Sequence, residues 1–194
     1  GHYLLVSGSR LASGSVLVNV KTLSISAGKT TDEALVMRRD TTAVAVLGSF
    51  NSENLYGYLG EAESLTKTSD ITAAQPQERS LLSTTGRGYY ILGILGAGEE
   101  PTNHALKDII AEREVFEHWG RSLVLLFKDE TSRSRYRSED FQGLPKGTVF
   151  GIDATGKILD ELRTSMKLRS GDLPVFVIAD TFNRVVFVSQ GYTI

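Results

Sequence analysis

Hydrophobic positions in the middle of the chain follow the pattern of a β-α-β unit. Tyr89–Leu95 is a short run of aromatic and aliphatic residues, which is typical of a strand covered on both faces. Glycines and acidic residues interrupt it, and Pro101 suits the first position of a helix because its missing N–H is not needed there. Apolar residues then recur at helical spacing as far as Gly120, and Ser122–Phe127 is a second apolar strand. Two parallel strands need such a crossover.

Apolar runs and turn signals continue the alternation to the end of the chain. They predict strands at Thr148–Ile152, Val175–Ala179 and Val185–Ser189, with a helix over Lys157–Leu168 after the first of them. The polar tip Asp180–Arg184 joins the last two strands as a hairpin. We therefore predict an α/β domain over 88–194, with a mixed sheet and helices on both faces.

The first third of the chain has a different pattern, with short strands separated by turn residues. The predicted strands are Tyr3–Val6, Ser15–Ser26, Ala34–Met37, Ala43–Leu47 and Leu55–Leu59. Their spacing favours a small antiparallel β-sandwich over 1–62. Residues 63–87 are rich in Ser, Thr, Gln and Glu, with few apolar positions, and predict an inter-domain linker with a short helix near 77–82. The overall prediction is a two-domain α+β chain.

Charge and composition exclude several classes of function. The 194 residues carry a formal net charge of −2, which argues against a nucleic-acid interface. The one dense basic cluster, Arg133, Arg135 and Arg137, predicts a solvated face. The chain has no cysteine, which excludes thiolate chemistry and disulfides. No apolar run is long enough to span a bilayer. Because the chain begins with Gly1, we expect that a leader or an upstream domain has been removed.

Motifs for catalysis or cofactor binding are weak. Gly96-x-Gly98 is followed by Pro101 where a dinucleotide-binding loop needs its third glycine, and two glutamates stand where a phosphate would bind. Asn103 and His104 at the helix start could act as a general acid/base or as metal ligands, but a lone histidine there is more often a surface residue. We expect no cofactor, no metal and no catalytic residue in this chain.

Aromatic residues in the first third raise the alternative of a carbohydrate- or peptide-binding face. Aromatic side chains in strands more often pack into a core, so this alternative is the weaker one. The residues concerned are Tyr3, Phe50, Asn51, Asn54, Tyr56 and Tyr58.

The order of elements, together with Leu173–Pro174–Val175 and Gly191, resembles the thioredoxin-like fold. The resemblance implies a proline, commonly cis, that opens the penultimate strand opposite the N-terminus of the first helix. The redox CxxC motif of that family would fall within Glu100–His104, which contains no cysteine. The family's last helix has no counterpart before Ile194. The resemblance also implies a groove for an extended peptide; its residues would be Glu100, Thr102, Asn103, His104, Leu173 and Pro174.

A second resemblance covers nearly the whole chain. The segments GRGYYILGILGAGEEPTNHALKDI, FGIDATGKI and LPVFVIADTFNRVVFVSQGYTI are similar to the C-terminal part of exported bacterial proteins with an upstream transglutaminase-like domain. It implies a periplasmic or extracellular, non-catalytic tail of a papain-like cysteine hydrolase, with that hydrolase domain or a protein partner as its contact. The hypotheses are therefore an inert interaction module, a peptide- or carbohydrate-binding module and, least favoured, an enzyme using carboxylate or histidine chemistry.

Overall fold

The fold was analysed in a computed structural model. It describes residues 2–10, 16–24, 28, 38–39, 46–51, 54–67, 71–97, 100–119 and 122–191. The chain divides into two compact units, 1–46 and 47–194.

The described strands of the first unit form one antiparallel sheet in the order β1-β2-β3. These strands are β1 (His2–Arg10), β2 (Val16–Ser24) and β3 (Arg38–Arg39). The strand predictions near Tyr3 and Val16 are confirmed. The strand predicted at Ala34–Met37 and the part of Ala43–Leu47 before Val46 lie outside the described residues. Within the described residues there is one sheet here rather than the two packed sheets of the predicted sandwich.

The second unit is built on an eight-stranded mixed sheet in the order β4-β11-β10-β7-β8-β9-β5-β6. Its strands are β4 (Gly48–Ser49), β5 (Leu55–Glu61), β6 (Gln77–Ser80), β7 (Tyr90–Leu95), β8 (Ser122–Phe127), β9 (Val149–Ile152), β10 (Val175–Ala179) and β11 (Arg184–Gln190). Strands β7, β8 and β9 are parallel, and all other neighbours are antiparallel.

Among the described residues, six short helices accompany this sheet. They are α1 (Ala62–Leu65), α2 (Leu81–Thr85), α3 (Thr102–Ala111), α4 (Arg113–Trp119), α5 (Glu130–Arg133) and α6 (Lys157–Met166). Two 3-10 turns lie at Ile71–Ala73 and Ser138–Phe141. The single helix predicted after Pro101 is therefore two helices, separated at Glu112.

Alternate residues of β8 point to opposite sides of the sheet, and both sets are apolar. Each face of the central strands therefore packs against a core of its own. Val124 and Leu126 belong to the core that includes Ile158 and Leu162 of α6. Leu123, Leu125 and Phe127 belong to the core on the other face, with Leu106 and Ile109 of α3.

Strands β7, β8, β10 and β11 confirm the thioredoxin-like arrangement. A parallel β7-β8 pair is joined by α3 and α4, and the antiparallel pair β10-β11 lies beside β7, so the order is β11-β10-β7-β8. Pro174 comes directly before β10, and its peptide bond with Leu173 is cis.

The prediction of a linker at 63–87 is not met in the described part of that segment, which is integrated into the sheet. It contains α1, β6 and α2, and β6 pairs with β5 over Leu55–Tyr58. Leu65, Ile71 and Leu81 are fully buried. These apolar residues are few and widely separated, so the composition of the segment is that of a linker although each of them is buried in the core. The boundary between the two compact units falls after Val46 rather than at residue 62.

Arg133 corrects a second prediction, that of a solvated basic face. Its side chain is 3% exposed, and its guanidinium donates hydrogen bonds to the carbonyl oxygens of Ile71 at 2.7 Å and Ala74 at 2.5 Å. Arg135 and Arg137 are exposed, as predicted. Arg133 thus ties the 71–74 turn to α5.

Candidate functional site

A polar cavity of about 510 Å³, called the corner cavity below, lies where β7 ends and α3 begins. Four segments line it: the end of β7, the start of α3, the loop before β10 and the end of β11. Its lining residues are Gly96, Ala97, Glu100, Pro101, Thr102, Arg169, Gly171, Asp172, Leu173, Gln190 and Gly191. In open α/β sheets, ligands bind at the carboxyl ends of the parallel strands, which is the position of this cavity.

Gly96 allows the loop before β10 to come close to β7. A Cβ atom at this position would lie 3.2 Å from Cβ of Leu173, which is tighter than ordinary van der Waals contact. On the other side of the loop, the N–H of Gly191 donates to the carbonyl oxygen of Pro174 at 2.8 Å. The Leu173–Pro174 segment is therefore held between β7 and β11.

Tyr136 is hydrogen-bonded to Gly96, one of the residues that line the cavity. Its hydroxyl donates to the carbonyl oxygen of Gly96 at 3.0 Å, with the carbonyl oxygen of Ala97 at 3.5 Å. Burial raises the pKa of Tyr136, so the hydroxyl keeps its proton at neutral pH. The Tyr136 side chain thereby holds the backbone that follows β7.

Charged groups of both signs line the corner cavity. Nε of Arg169 lies 3.1 Å from Oδ2 of Asp172, and both side chains are largely exposed. Gln190 accepts a hydrogen bond from the backbone N–H of Arg169 at 2.9 Å. An exposed pair of this kind contributes about 0–1 kcal/mol, so its charges are available to a ligand.

Leu173 lines the cavity, and its backbone has no hydrogen-bond partner among the described residues. Within the described part of the chain, no hydrogen bond involves its N–H or its C=O. Its side chain is only half-buried. A free donor and a free acceptor on one residue beside a cavity are the groups with which an extended peptide pairs.

The predicted groove residues are only partly brought together. Glu100, Thr102 and Leu173 line the corner cavity, whereas Asn103, His104 and Pro174 are not among its lining residues. Nδ1 of His104 lies 3.5 Å from Oε2 of Glu100, one helical turn earlier, and both side chains are about half or more exposed. Within the described residues, no group of three or more histidine or acidic side chains could hold a metal ion.

Sequence reasoning missed the other wall of the cavity. Arg169, Gly171 and Gln190 come from the loop before β10 and from the end of β11. The Ser170–Gly171–Asp172 turn signal before Leu173 is visible in the sequence. The position of Gln190 depends on the pairing of β11 with β10, for which the sequence has no local signal.

The alternative of an aromatic carbohydrate-binding face does not agree with the burial of its residues. Phe50, Asn54 and Tyr56 are 7%, 2% and 3% exposed. Tyr58 is half-buried, and the guanidinium carbon of Arg79 lies 3.6 Å from the centre of its ring. The side chain of Tyr3 lies outside the described part. These aromatic residues act mainly in packing.

No protein-family model matches this chain, and no curated protein sequence is significantly similar to it. Several solved structures resemble its fold. One is the thioredoxin domain of a thiol-disulfide oxidoreductase from Bacteroides vulgatus, with a TM-score of 0.48 and 12% identity over 74% of this chain and 89% of that one. Another is a thiol:disulfide interchange protein from Bacteroides sp., with a TM-score of 0.47 and 14% identity over 74% and 82%. A third is Mycobacterium bovis AhpC, with a TM-score of 0.46 and 15% identity over 75% and 82%.

The thioredoxin-like assignment rests on the strand order and directions of this chain itself. The chain has no cysteine, so it cannot carry out dithiol–disulfide exchange with its own residues. No helix among the described residues has the length and apolar character needed to cross a membrane.

Proposed function

We propose that this chain is a redox-inactive, thioredoxin-like interaction module that binds an extended segment of a protein partner in the corner cavity. The observation that carries the proposal is the backbone of Leu173, which has no hydrogen-bond partner among the described residues and belongs to the lining of a cavity of about 510 Å³. The absence of cysteine supports a role in binding without thiol chemistry.

The chemistry of the cavity suits a peptide better than a nucleotide. Glu100 and Asp172 place carboxylates at its rim, and these would repel phosphate groups. A neutral peptide backbone can instead pair with Leu173 and meet the polar groups of Arg169 and Gln190. The missing side chain at Gly96 keeps this part of the cavity from being narrowed further.

The attachment of this module to a transglutaminase-like hydrolase, in the periplasm or outside the cell, is a further part of the proposal. It rests on the sequence resemblance alone. In that arrangement the peptide could belong to the hydrolase domain or to its substrate protein.

A titration followed by NMR tests the binding proposal. Heptapeptides would first be selected from a displayed random library for binding to the whole chain. They would then be titrated into the ¹⁵N-labelled protein. We expect saturable shifts of the Gly96, Thr102 and Leu173 amides. Gly88 lies two residues before β7, a strand about 20 Å long at roughly 3.3 Å per residue, and its amide should not move.

The Gly96→Ala variant provides the matching loss of function. Its added methyl group would sit 3.2 Å from Leu173 and 3.6 Å from Oγ1 of Thr102, so it narrows the cavity. Circular dichroism would verify that the variant folds. Library peptides that shift residues elsewhere, or that bind Gly96→Ala as tightly, would refute the proposed site.

A further inference from the structure

The hydrogen-bond ladder between β7 and β8 ends just before the corner cavity. The N–H of Lys128, one residue past β8, donates to the carbonyl oxygen of Leu95 at 3.0 Å. Gly96 and Ala97 follow β7, have no strand partner among the described residues, and line the cavity. The described sheet therefore does not by itself hold this short stretch of wall.

Tyr136 supplies a hydrogen-bond donor to that wall. Its hydroxyl lies 3.0 Å from the carbonyl oxygen of Gly96 and 3.5 Å from that of Ala97. Among the described residues, no other group donates to either oxygen. Tyr136 lies between α5 and the 138–141 turn, 40 residues after Gly96, so the contact depends on tertiary packing.

The ring of Tyr136 belongs to a cluster of four aromatic side chains. Only 4% of the residue is exposed. Its ring centroid lies 5.3 Å from that of Phe127 and 5.4 Å from that of Phe141, and Phe150 packs against both of these rings. Protein interiors are close-packed, so a ring inside such a cluster presents its hydroxyl at one place.

Tyr136 contributes no surface to the corner cavity. It is not among the lining residues, whereas Gly96 and Ala97 are. A ligand in the cavity would touch those two residues but not the side chain that holds them. Tyr136 can therefore influence binding through the backbone of Gly96 and Ala97.

The position of Gly96 matters because it also lies close to Leu173. A Cβ atom at Gly96 would lie 3.2 Å from Cβ of Leu173. A displacement of Gly96 would change the space beside the residue with which a partner segment pairs in the proposed function. A wall that is already in place also has less conformational freedom to lose on binding.

We propose that Tyr136 is a positioning residue for the corner cavity, whose hydroxyl fixes the backbone of Gly96 and Ala97 relative to Leu173 before a partner segment binds. This inference rests on the proposed function. It assigns part of the binding affinity to a buried hydroxyl that the partner never touches.

Tyr136→Phe tests this role, because it keeps the ring and removes only the hydroxyl. The probes are fluorescein-labelled copies of the library heptapeptides that shift the Gly96, Thr102 and Leu173 amides of the parent chain. Fluorescence polarisation gives their affinity, and stopped flow gives their association and dissociation rates. We expect binding about tenfold weaker than in the parent chain. The loss should lie mainly in the association rate, since fewer free molecules have the wall in place.

Tyr56→Phe is the matched control. Tyr56 is 3% exposed, its hydroxyl is hydrogen-bonded to Oγ1 of Thr84 at 2.6 Å, and it does not line the cavity. This variant also loses a buried hydroxyl, but it should bind the heptapeptides as tightly as the parent chain. Urea unfolding of both variants gives the folded fraction, so that affinities are compared per folded molecule.

The free protein provides a second measurement. The N–H of Ala97 belongs to the same peptide group as the carbonyl of Gly96, so its NMR signal reports on the loss of the hydrogen bond. In Tyr136→Phe without peptide, we expect this signal to shift or to broaden through conformational exchange. Tyr56→Phe should leave it unchanged.

The outcomes separate this inference from the proposed function. If the heptapeptides shift the corner amides of the parent chain but bind Tyr136→Phe as tightly, or lose no more affinity than with Tyr56→Phe, the positioning role is wrong and the proposed function stands. A loss confined to the dissociation rate would likewise overturn the role, because it would place the effect in the complex and not in the free wall. Library peptides that shift no corner amide would refute the proposed function and this inference together.

Discussion

Replacing Arg133 by methionine should destabilise the second compact unit by about 2–4 kcal/mol. Methionine fills much of the same volume but donates no hydrogen bond. The change leaves the carbonyl oxygens of Ile71 and Ala74 without their donor. An unpaired buried polar group costs about 1–3 kcal/mol. Ile71 is 1% exposed and should approach the upper end, whereas Ala74 is half-buried and water can compensate for part of its loss.

The ion pair of Arg133 with Glu130 adds little to this value. Nη1 lies 3.2 Å from Oε1, but the Glu130 side chain is 63% exposed, so solvent screens the attraction. Glu130→Gln should therefore change the free energy of unfolding by less than about 0.5 kcal/mol. The hydrogen bonds to the 71–74 turn, not the charge pair, carry the effect.

Urea unfolding measures the effect directly. Trp119 is the chain's single tryptophan and lies in the second unit, so its fluorescence reports on that unit. With a slope of about 2 kcal/mol per molar urea, the midpoint should fall by about 1–2 M while the slope stays constant. Arg135→Met changes an exposed arginine two residues away and should leave the midpoint unchanged.

A midpoint shift for Arg133→Met that matches Arg135→Met would refute the reasoning. It would mean that the 71–74 turn is not held by this side chain. Limited proteolysis gives an independent reading, because a released turn should be cut faster in Arg133→Met than in the parent chain.

Three more predictions concern packing and ionisation. The carboxyl group of Asp153 accepts hydrogen bonds from the N–H groups of Ile158 and Leu159 in α6, and burial raises its pKa, so its contribution to stability is greatest below pH about 4 and is lost as pH rises through the raised pKa. Relative to Asp153→Asn, the free energy of unfolding of the parent chain, measured by urea titration, should therefore fall from pH 4 to 7. Parallel pH profiles of the two proteins would contradict this. Gly93→Ala places a Cβ 2.5 Å from the Phe176 ring and should cost about 1–3 kcal/mol in thermal unfolding; an unchanged melting temperature would show that the ring moves freely. Tyr90→Phe removes the hydroxyl that donates to Oδ1 of buried Asn183 and should lower the free energy of unfolding by about 1–3 kcal/mol in the same urea assay. An unchanged midpoint would show that water replaces the hydroxyl.

Local patterns were sufficient to predict the elements around the corner cavity. The predicted strand Ser122–Phe127 coincides with β8, and the predicted Val175–Ala179 coincides with β10. These strands are covered on both faces, so their hydrophobic runs are continuous and short. The helix after Pro101 was predicted as one element, because the interruption at Glu112 has no proline or glycine to mark it.

The candidate site was only partly predictable. Thr102 and Leu173 flank the prolines that drew attention to the corner, and both line the cavity. His104 belongs to the predicted groove because the resemblance places the groove at the start of the first helix, but His104 is not among the residues that line the cavity. Arg169 and Gln190 could not be assigned, since their proximity depends on contacts between segments 21 residues apart.

By itself, the sequence determined the order of the main strands and helices after residue 88 and the absence of thiol chemistry, because hydrophobic periodicity and residue identity are local properties. Only the tertiary structure decided that the described part of 63–87 joins the sheet, that Arg133 is buried and that Arg169 and Gln190 line the corner cavity. Each of these depends on which distant segments share a surface, and that is set by the competition among all apolar residues for one core.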